Sequence, residues 1–289
     1  MDKSQKQFIS EYCRQYGIAP TKLRGQNFLL DPEILQRMVD ASGVKKSDTV
    51  LEVGPGFGTL TEFLAEKAKK VIAVELDDAL FGLLKAQLGK SSTVKLLHAD
   101  ILKMRREDLP VEKKYKIVSN LPYNITSFFL RKFMQEEFRP ETLTLMLQEE
   151  VANRICAKPG KMSILAVSVQ FFSYPEILFR VSADNFWPEP KVHSSAVHLR
   201  TKSEEEVKKQ LVAAGTDEKS FFRLIKFGFS ARRKQLHNNL AGGMRSMGKN
   251  NFATKDVKRV LRDSKIPENA RAQDLSLDDW FALSRNLEL

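Results

Sequence analysis

Short apolar runs at residues 50–53, 71–74, 94–97, 117–119 and 143–148 alternate with stretches of helical periodicity at 59–68, 79–88 and 125–134. Few architectures accept that order. Strands joined through helices run parallel, and the helices then cover both faces of the sheet. The expected fold class is therefore α/β, a doubly wound Rossmann-like sheet. In such a sheet ligands bind beyond the carboxyl ends of the strands, where the strand order reverses. The residues that follow each apolar run are thus the first candidates for chemistry.

After the first run the chain reads Gly54-Pro55-Gly56-Phe57-Gly58. Glycines let a backbone turn tightly and approach a ligand closely. The second run ends at Glu75, 21 residues after Gly54, and the third is followed by Asp100. A carboxylate at the first of these places accepts both hydroxyls of a ribose. One at the second accepts from the amino group of an adenine. Each also reads as a helix cap, with Asp77 and Asp78 competing for that role after Glu75. Together with Gly54 and Gly56 they describe an adenosine-containing cofactor, either NAD or S-adenosylmethionine. The G-x-G-x-G spacing favours S-adenosylmethionine.

The fourth run leads into Asn120-Leu121-Pro122-Tyr123. The Asn120 side-chain carbonyl and the Leu121 backbone carbonyl are acceptors. Pro122 fixes its own φ and restricts Leu121. Tyr123 adds a ring for stacking. A plain turn would use the same residues. The upstream carboxylates tip the balance toward a pocket for a planar base bearing an amine, which suits methyl transfer rather than hydride transfer.

The net charge of +11 points to a polyanionic partner, nucleic acid first. The charge lies on the flanks: residues 1–24 carry +3, residues 25–200 only +2, and residues 201–289 carry +6. This predicts a basic N-terminal arm (1–24), a catalytic domain (25–200) and a helical basic C-terminal domain (201–289). The arm includes an amphipathic helix at 5–16, and Asp31-Pro32 opens another helix. Residues 162–181 and 196–200 read as further strands, with the proline-rich 186–191 as a loop between them. Residues 219–234 hold six basic side chains and no acid. Phe222, Ile225 and Phe229 there form an apolar stripe better suited to core than to base stacking. Arg223, Lys226, Arg232, Arg233 and Lys234 are the expected RNA-backbone contacts.

The two cysteines, Cys13 and Cys156, form no C-x-x-C pair and read as reduced thiols. The four histidines show no ligand spacing, so no metal is expected. No run is long enough to span a bilayer, and the polar start is unlike a signal peptide. The expected setting is the cytoplasm.

Gly25-Gln26-Asn27-Phe28-Leu29, Glu52-Val53-Gly54-Pro55-Gly56-x-Gly58, Asn120-Leu121-Pro122-Tyr123 and Phe186-x-Pro188-x-Pro190-Lys191-Val192 occur in that order. The chain thereby resembles the small-subunit ribosomal RNA adenine dimethyltransferases of the kasugamycin-resistance group, from about residue 22 through Arg232-Arg233-Lys234. The resemblance implies a class I methyltransferase that uses S-adenosylmethionine. Its substrate would be two adjacent adenines, each dimethylated at N6, in the terminal stem-loop of small-subunit RNA. It implies cofactor contacts from Gln26, Asn27, Leu29, Gly54, Glu75, Asp100 and Asn120, and a target base flanked by Tyr123 and Phe186. The partner expected is a preribosomal small subunit, met by a monomer. The chain departs from the family pattern at Trp187, Glu189 and His193, which bear on the base-binding loop. Rival readings are a large-subunit adenine methyltransferase of the macrolide-resistance type, a non-catalytic RNA-binding assembly factor and, more distantly, a dehydrogenase.

Overall fold

The computed structural model describes residues 10, 11, 13, 14, 17, 25–29, 31–134, 138–248 and 253–287. Most of the expected basic arm and of its helix at 5–16 lies outside the described residues. The chain divides into two compact units, Met1–Ala152 with Tyr174–Thr201, and Asn153–Ser173 with Lys202–Leu289. The segment Asn153–Ser173, expected in the catalytic domain, clusters instead with the C-terminal region.

The first unit is built on a sheet of β2 (Thr49–Val53), β3 (Lys70–Glu75), β4 (Val94–His98), β5 (Lys116–Asn120), β6 (Thr142–Gln148), β7 (Ser173–Val181) and β9 (Ser194–Thr201). Their order is β4-β3-β2-β5-β6-β9-β7. The pairs β2/β3, β3/β4, β2/β5 and β5/β6 are parallel, and β6/β9 is antiparallel. Every residue of β2 is buried, as a strand covered on both faces requires. The order reverses at β2: β3 lies on one side and β5 on the other. That switch point places Gly54 beside Asn120.

Four helices of the first unit flank these strands in sequence: α1 (Pro32–Ala41), α2 (Thr59–Lys67), α3 (Asp78–Leu88) and α4 (Thr126–Phe133). Asp31 caps α1, accepting from the amides of Glu33 and Ile34, with Pro32 in the first turn. Asp77 caps α3, accepting from Ala79 and Leu80. The cap of α3 thus falls to Asp77, and Glu75 is freed from that role.

Two sequence expectations are corrected. Residues 162–181 are not strand throughout. After α5 (Glu149–Ile155), α6 spans Ile164–Phe172, and β7 starts only at Ser173. Ser163 caps α6, its hydroxyl accepting from the Ala166 amide at 3.2 Å. A short, wholly apolar run carries no period that separates a buried helix from a buried strand. Nor is 186–191 all loop. β8 (Phe186–Trp187) pairs antiparallel with β1 (Phe28–Leu29), Phe28 opposite Trp187 and Leu29 opposite Phe186.

The second unit is helical: α6 with α7 (Glu204–Ala213), α8 (Glu218–Gly228), α9 (Leu236–Ser246), α10 (Thr254–Asp263) and α11 (Leu277–Asn286). Its centre is aromatic. Phe171 lies 5.0 Å from both Phe221 and Phe222, and Phe221 lies 4.7 Å from Phe281. Ile225 is buried, while Phe222 and Phe229 are half-buried against Phe171 and Trp280. The apolar stripe of residues 219–234 is thus packing.

Candidate active site

An open cleft lies at the switch point, lined from β2, β3, β5 and the segment before β1. Its floor is the glycine turn. Gly54 and Gly56 have φ of +65° and +61°, a region that side chains with a Cβ rarely adopt. A Cβ on Gly56 would stand 2.8 Å from the Phe28 ring, and one on Gly54 would stand 3.1 Å from Pro122. The turn is therefore held between β1 and the residues after β5, and only glycine fits it.

Glu75 is 6% exposed and ties this floor to the wall. One carboxylate oxygen accepts from the amides of Leu76 and Asp77 at 2.8 and 2.9 Å, and the other from Gly56 at 3.3 Å. Both oxygens are thereby held by backbone amides along the cleft. Asp100 lines the same cleft and accepts from the Leu102 amide at 2.9 Å.

Asn120 closes the far wall. Its Nδ2 donates to the Asn27 carbonyl at 3.0 Å. A carbonyl only accepts, so this bond fixes which way the amide faces. Oδ1 is then left buried with no hydrogen-bond partner. A buried, unpaired acceptor costs about 1–3 kcal/mol, and Asn120 belongs to the cleft lining. Pro122 turns the chain, its carbonyl accepting from the Ile125 amide at 3.2 Å, and the Leu121 side chain is buried beneath. The Tyr123 hydroxyl lies 2.6 Å from Ser194 Oγ, which anchors the ring, and burial raises its phenol above the ordinary value.

Glu52 is 1% exposed at the centre of the sheet. Thr61 Oγ1 donates to it at 2.7 Å. Burial pushes its carboxyl up to about 8, helped by the charge of Glu75 and opposed by the Thr61 hydrogen bond. It does not line the cleft.

The match that decides the family covers residues 21–287, nearly the whole chain, and is to the model described as ribosomal RNA adenine dimethylase. The chain belongs to the ribosomal RNA adenine dimethylase family. The ribosomal RNA small subunit methyltransferase A of Alkaliphilus oremlandii is 36% identical, with 99% of each chain covered. A dimethyladenosine transferase from Plasmodium falciparum superposes with a TM-score of 0.73 at 26% identity, covering 89% of this chain and 95% of that one. The 23S rRNA methyltransferase ErmE superposes with a TM-score of 0.71 at 24% identity, covering 90% and 99%. That last likeness is one of fold.

Against this dimethylase background, the cleft gathers Gln26, Asn27, Gly54, Gly56, Glu75, Asp100, Asn120, Leu121 and Pro122, all expected from the sequence. Three expected residues do not line it. Tyr123 is half-buried and tied to Ser194 instead. Leu29 does not line the cleft: it is 4% exposed and packs in the core beside Phe186. Phe186 is itself 0% exposed, within the same cluster, and presents no free ring face. Pairing with β1 turns that position inward. Its neighbour Trp187 is half-buried and stacks on Phe28 at 6.4 Å. His193, the other departure from the pattern, accepts from the Ala183 amide at 3.2 Å and so fastens the loop between β7 and β9.

Sequence reasoning missed Leu76 and Ile101, which line the cleft immediately after Glu75 and Asp100. Leu76 is 56% exposed, an apolar side chain left uncovered at the cleft wall. The signal was available: each follows an acidic strand end, where an apolar face beside a carboxylate suits an adenine ring.

The expected RNA contacts lie in the second unit. Arg223 is half-buried, and Lys226, Arg232, Arg233 and Lys234 are exposed. Asn239 Nδ2 donates to the carbonyls of Gly228 and Ala231, which fastens the loop that carries Arg232–Lys234.

Proposed function

We propose that this chain dimethylates N6 of two adjacent adenines in the 3′-terminal stem-loop of small-subunit (16S-type) ribosomal RNA. The methyl donor is S-adenosylmethionine. The reading places this work in the cytoplasm, on a preribosomal small subunit, by a monomer. Among the described residues no helix is long and apolar enough to cross a membrane. The observation that carries the chemistry is the buried, unpaired Oδ1 of Asn120, an acceptor waiting for an amine hydrogen.

The cleft suits the donor. Its floor is a glycine turn, Glu75 brings a carboxylate to the wall where ribose hydroxyls would lie, and Asp100 with Leu76 and Ile101 suits an adenine. When bound, S-adenosylmethionine supplies a methyl group already activated on a sulfonium sulfur. The residues of this chain do the rest. Asn120 Oδ1 and the Leu121 carbonyl accept the two N6 hydrogens, draw the nitrogen lone pair out of conjugation and aim it. The alkylated nitrogen is acidic and loses its proton to water, so no side chain has to act as a strong base. Glu52, outside the cleft, takes no part in proton transfer. Tyr123, anchored by Ser194, gives the extruded base a face, and stacking of this kind offsets unstacking by roughly 1–3 kcal/mol.

The deciding experiment offers labelled cofactor to immature small subunits, large subunits and naked RNA in parallel. Label is expected in the small subunits, at two adjacent adenines. Label confined to large subunits would replace this reading with the macrolide-resistance type, and none anywhere would favour an assembly factor.

Two further outcomes are expected. Gly56→Ala should lower cofactor affinity about tenfold, because the positive φ and the clash with Phe28 push the turn off the floor of the cleft. Calorimetric titration with S-adenosylmethionine measures this, and unchanged affinity would mean the turn does not cradle the donor. Reversing both Arg232 and Arg233 to Glu should weaken RNA binding and lower the slope of log K against log salt by about 0.7–0.9 for each phosphate no longer neutralised. An unchanged slope would remove them from the interface.

A further inference from the structure

The first unit carries a second concavity that shares no lining residue with the cofactor cleft. Its rim includes Arg105, Arg106, Glu107, Phe128, Arg131 and Lys132. Phe128 is the unusual member. It is 66% exposed, and every other phenylalanine among the described residues is buried or half-buried. The buried face of α4 is made by Thr126, Phe129, Leu130 and Phe133, so Phe128 adds nothing to the core.

Phe128, Arg131 and Lys132 are spaced i, i+3 and i+4 on α4 and share its outer face. Two of the cations lining the concavity are held in place by backbone carbonyls. Lys132 donates to those of Leu102 and Met104, and Arg106 to those of Leu109, Val111 and Glu112. These bonds position both charges at the rim. Arg105 pairs with acids, 2.6 Å from Glu107 and 3.3 Å from Asp108, yet its side chain is 71% exposed. Arg131 is exposed and has no ion-pair partner among the described residues. A single exposed leucine or phenylalanine needs no explanation. An exposed ring in a concavity lined by four cations and one acid, on a helix that opens six residues after Asn120, does.

We infer that this concavity is a binding site for a nucleotide of the substrate RNA that flanks the target adenine, with its base on the Phe128 ring and its phosphates against Arg131 and Arg105. The chemistry is that of single-strand recognition: an aromatic platform supplies affinity for any base, and cations follow the backbone. The inference rests on the RNA-modifying reading above and extends it. A base pulled from its stack leaves neighbours unstacked, and a platform beside the cleft would hold one of them.

The test uses the full chain and a short single-stranded oligoribonucleotide carrying 2-aminopurine, whose fluorescence falls on stacking. Methyl transfer to immature small subunits is measured alongside. Phe128→Ala is expected to abolish the quenching and weaken binding about 10–100-fold. Phe128→Trp should restore both, and Arg131→Glu should keep the quenching while reducing the salt slope. Cofactor affinity should be unchanged in all three. If Phe128→Ala binds and methylates like the parent chain, the inference fails and the proposed function stands. If the parent chain shows Phe128-dependent quenching but methylates no ribosomal RNA, the function fails and the site stands. If Phe128→Ala impairs methylation of particles but not oligoribonucleotide binding, the ridge meets a ribosomal protein, and the inference is overturned.

Discussion

Asn120→Ala is expected to lower the single-turnover rate of methyl transfer by about 10²–10³-fold, the penalty typical of losing one preorganised polar group at a reacting centre. Binding of S-adenosylmethionine should change only a few-fold, because Glu75, Asp100 and the glycine floor are untouched. Folding should be retained, since the substitution removes a buried acceptor that had no partner. It also strips the Asn27 carbonyl of its donor at 3.0 Å, a loss of about 1 kcal/mol at a half-buried position. Asn120→Asp separates orientation from mere presence of an oxygen. It preserves shape but sets a carboxylate against the Asn27 carbonyl, so one oxygen must hold a proton to keep the geometry. Its residual activity should therefore rise as pH falls, opposite to a mechanism that needs a deprotonated base. A variant of Asn120 with normal turnover and an intact fold would end the orientation mechanism outright.

Much of this site was legible because a parallel sheet treats each of its strands alike. Each one ends at the same edge, so Gly54, Glu75, Asp100 and Asn120, far apart in sequence, follow from one rule. What the rule does not carry is the side-chain direction of residues outside the sheet. Phe186 and Leu29 face inward because they pair across a two-residue ribbon, and nothing local in either segment announces the other. The helix at Ile164–Phe172 was hidden for a different reason: it is apolar on nearly every side, so neither period stands out. Its grouping with the C-terminal helices follows from aromatic packing of Phe171 and Phe172 against residues some fifty positions later, which no local pattern records. The orphaned acceptor on Asn120 depends on a bond to Asn27, 93 residues away, and so belongs to the fold alone.

Glu52→Gln is expected to flatten the pH dependence of stability of the first unit between about pH 4.5 and 8. In the folded chain the Glu52 carboxyl, ordinarily near 4.5, is pushed up to about 8, chiefly by burial and secondarily by the charge of Glu75. The folded state therefore binds a proton in that range that the unfolded chain has released. Stability contributed by this proton is complete below pH 4.5, declines as pH rises, and is gone by about pH 8. The span corresponds to a loss on the order of 3–5 kcal/mol. Gln keeps an acceptor for Thr61 and the same volume, yet carries no titrating proton. Near pH 8 the variant should consequently be the more stable protein, and near pH 5 the two should converge. Urea unfolding at a series of pH values, without cofactor, measures the difference. A Trp280→Phe background leaves Trp187, in the first unit, as the fluorescent reporter. Equal slopes in the two proteins would place the charge elsewhere. The physical logic also explains why Glu52 does not serve as the base for methyl transfer: a carboxyl kept neutral under the centre of the sheet shapes the glycine turn through Thr61 and β2, and its proton is set by folding rather than by the substrate.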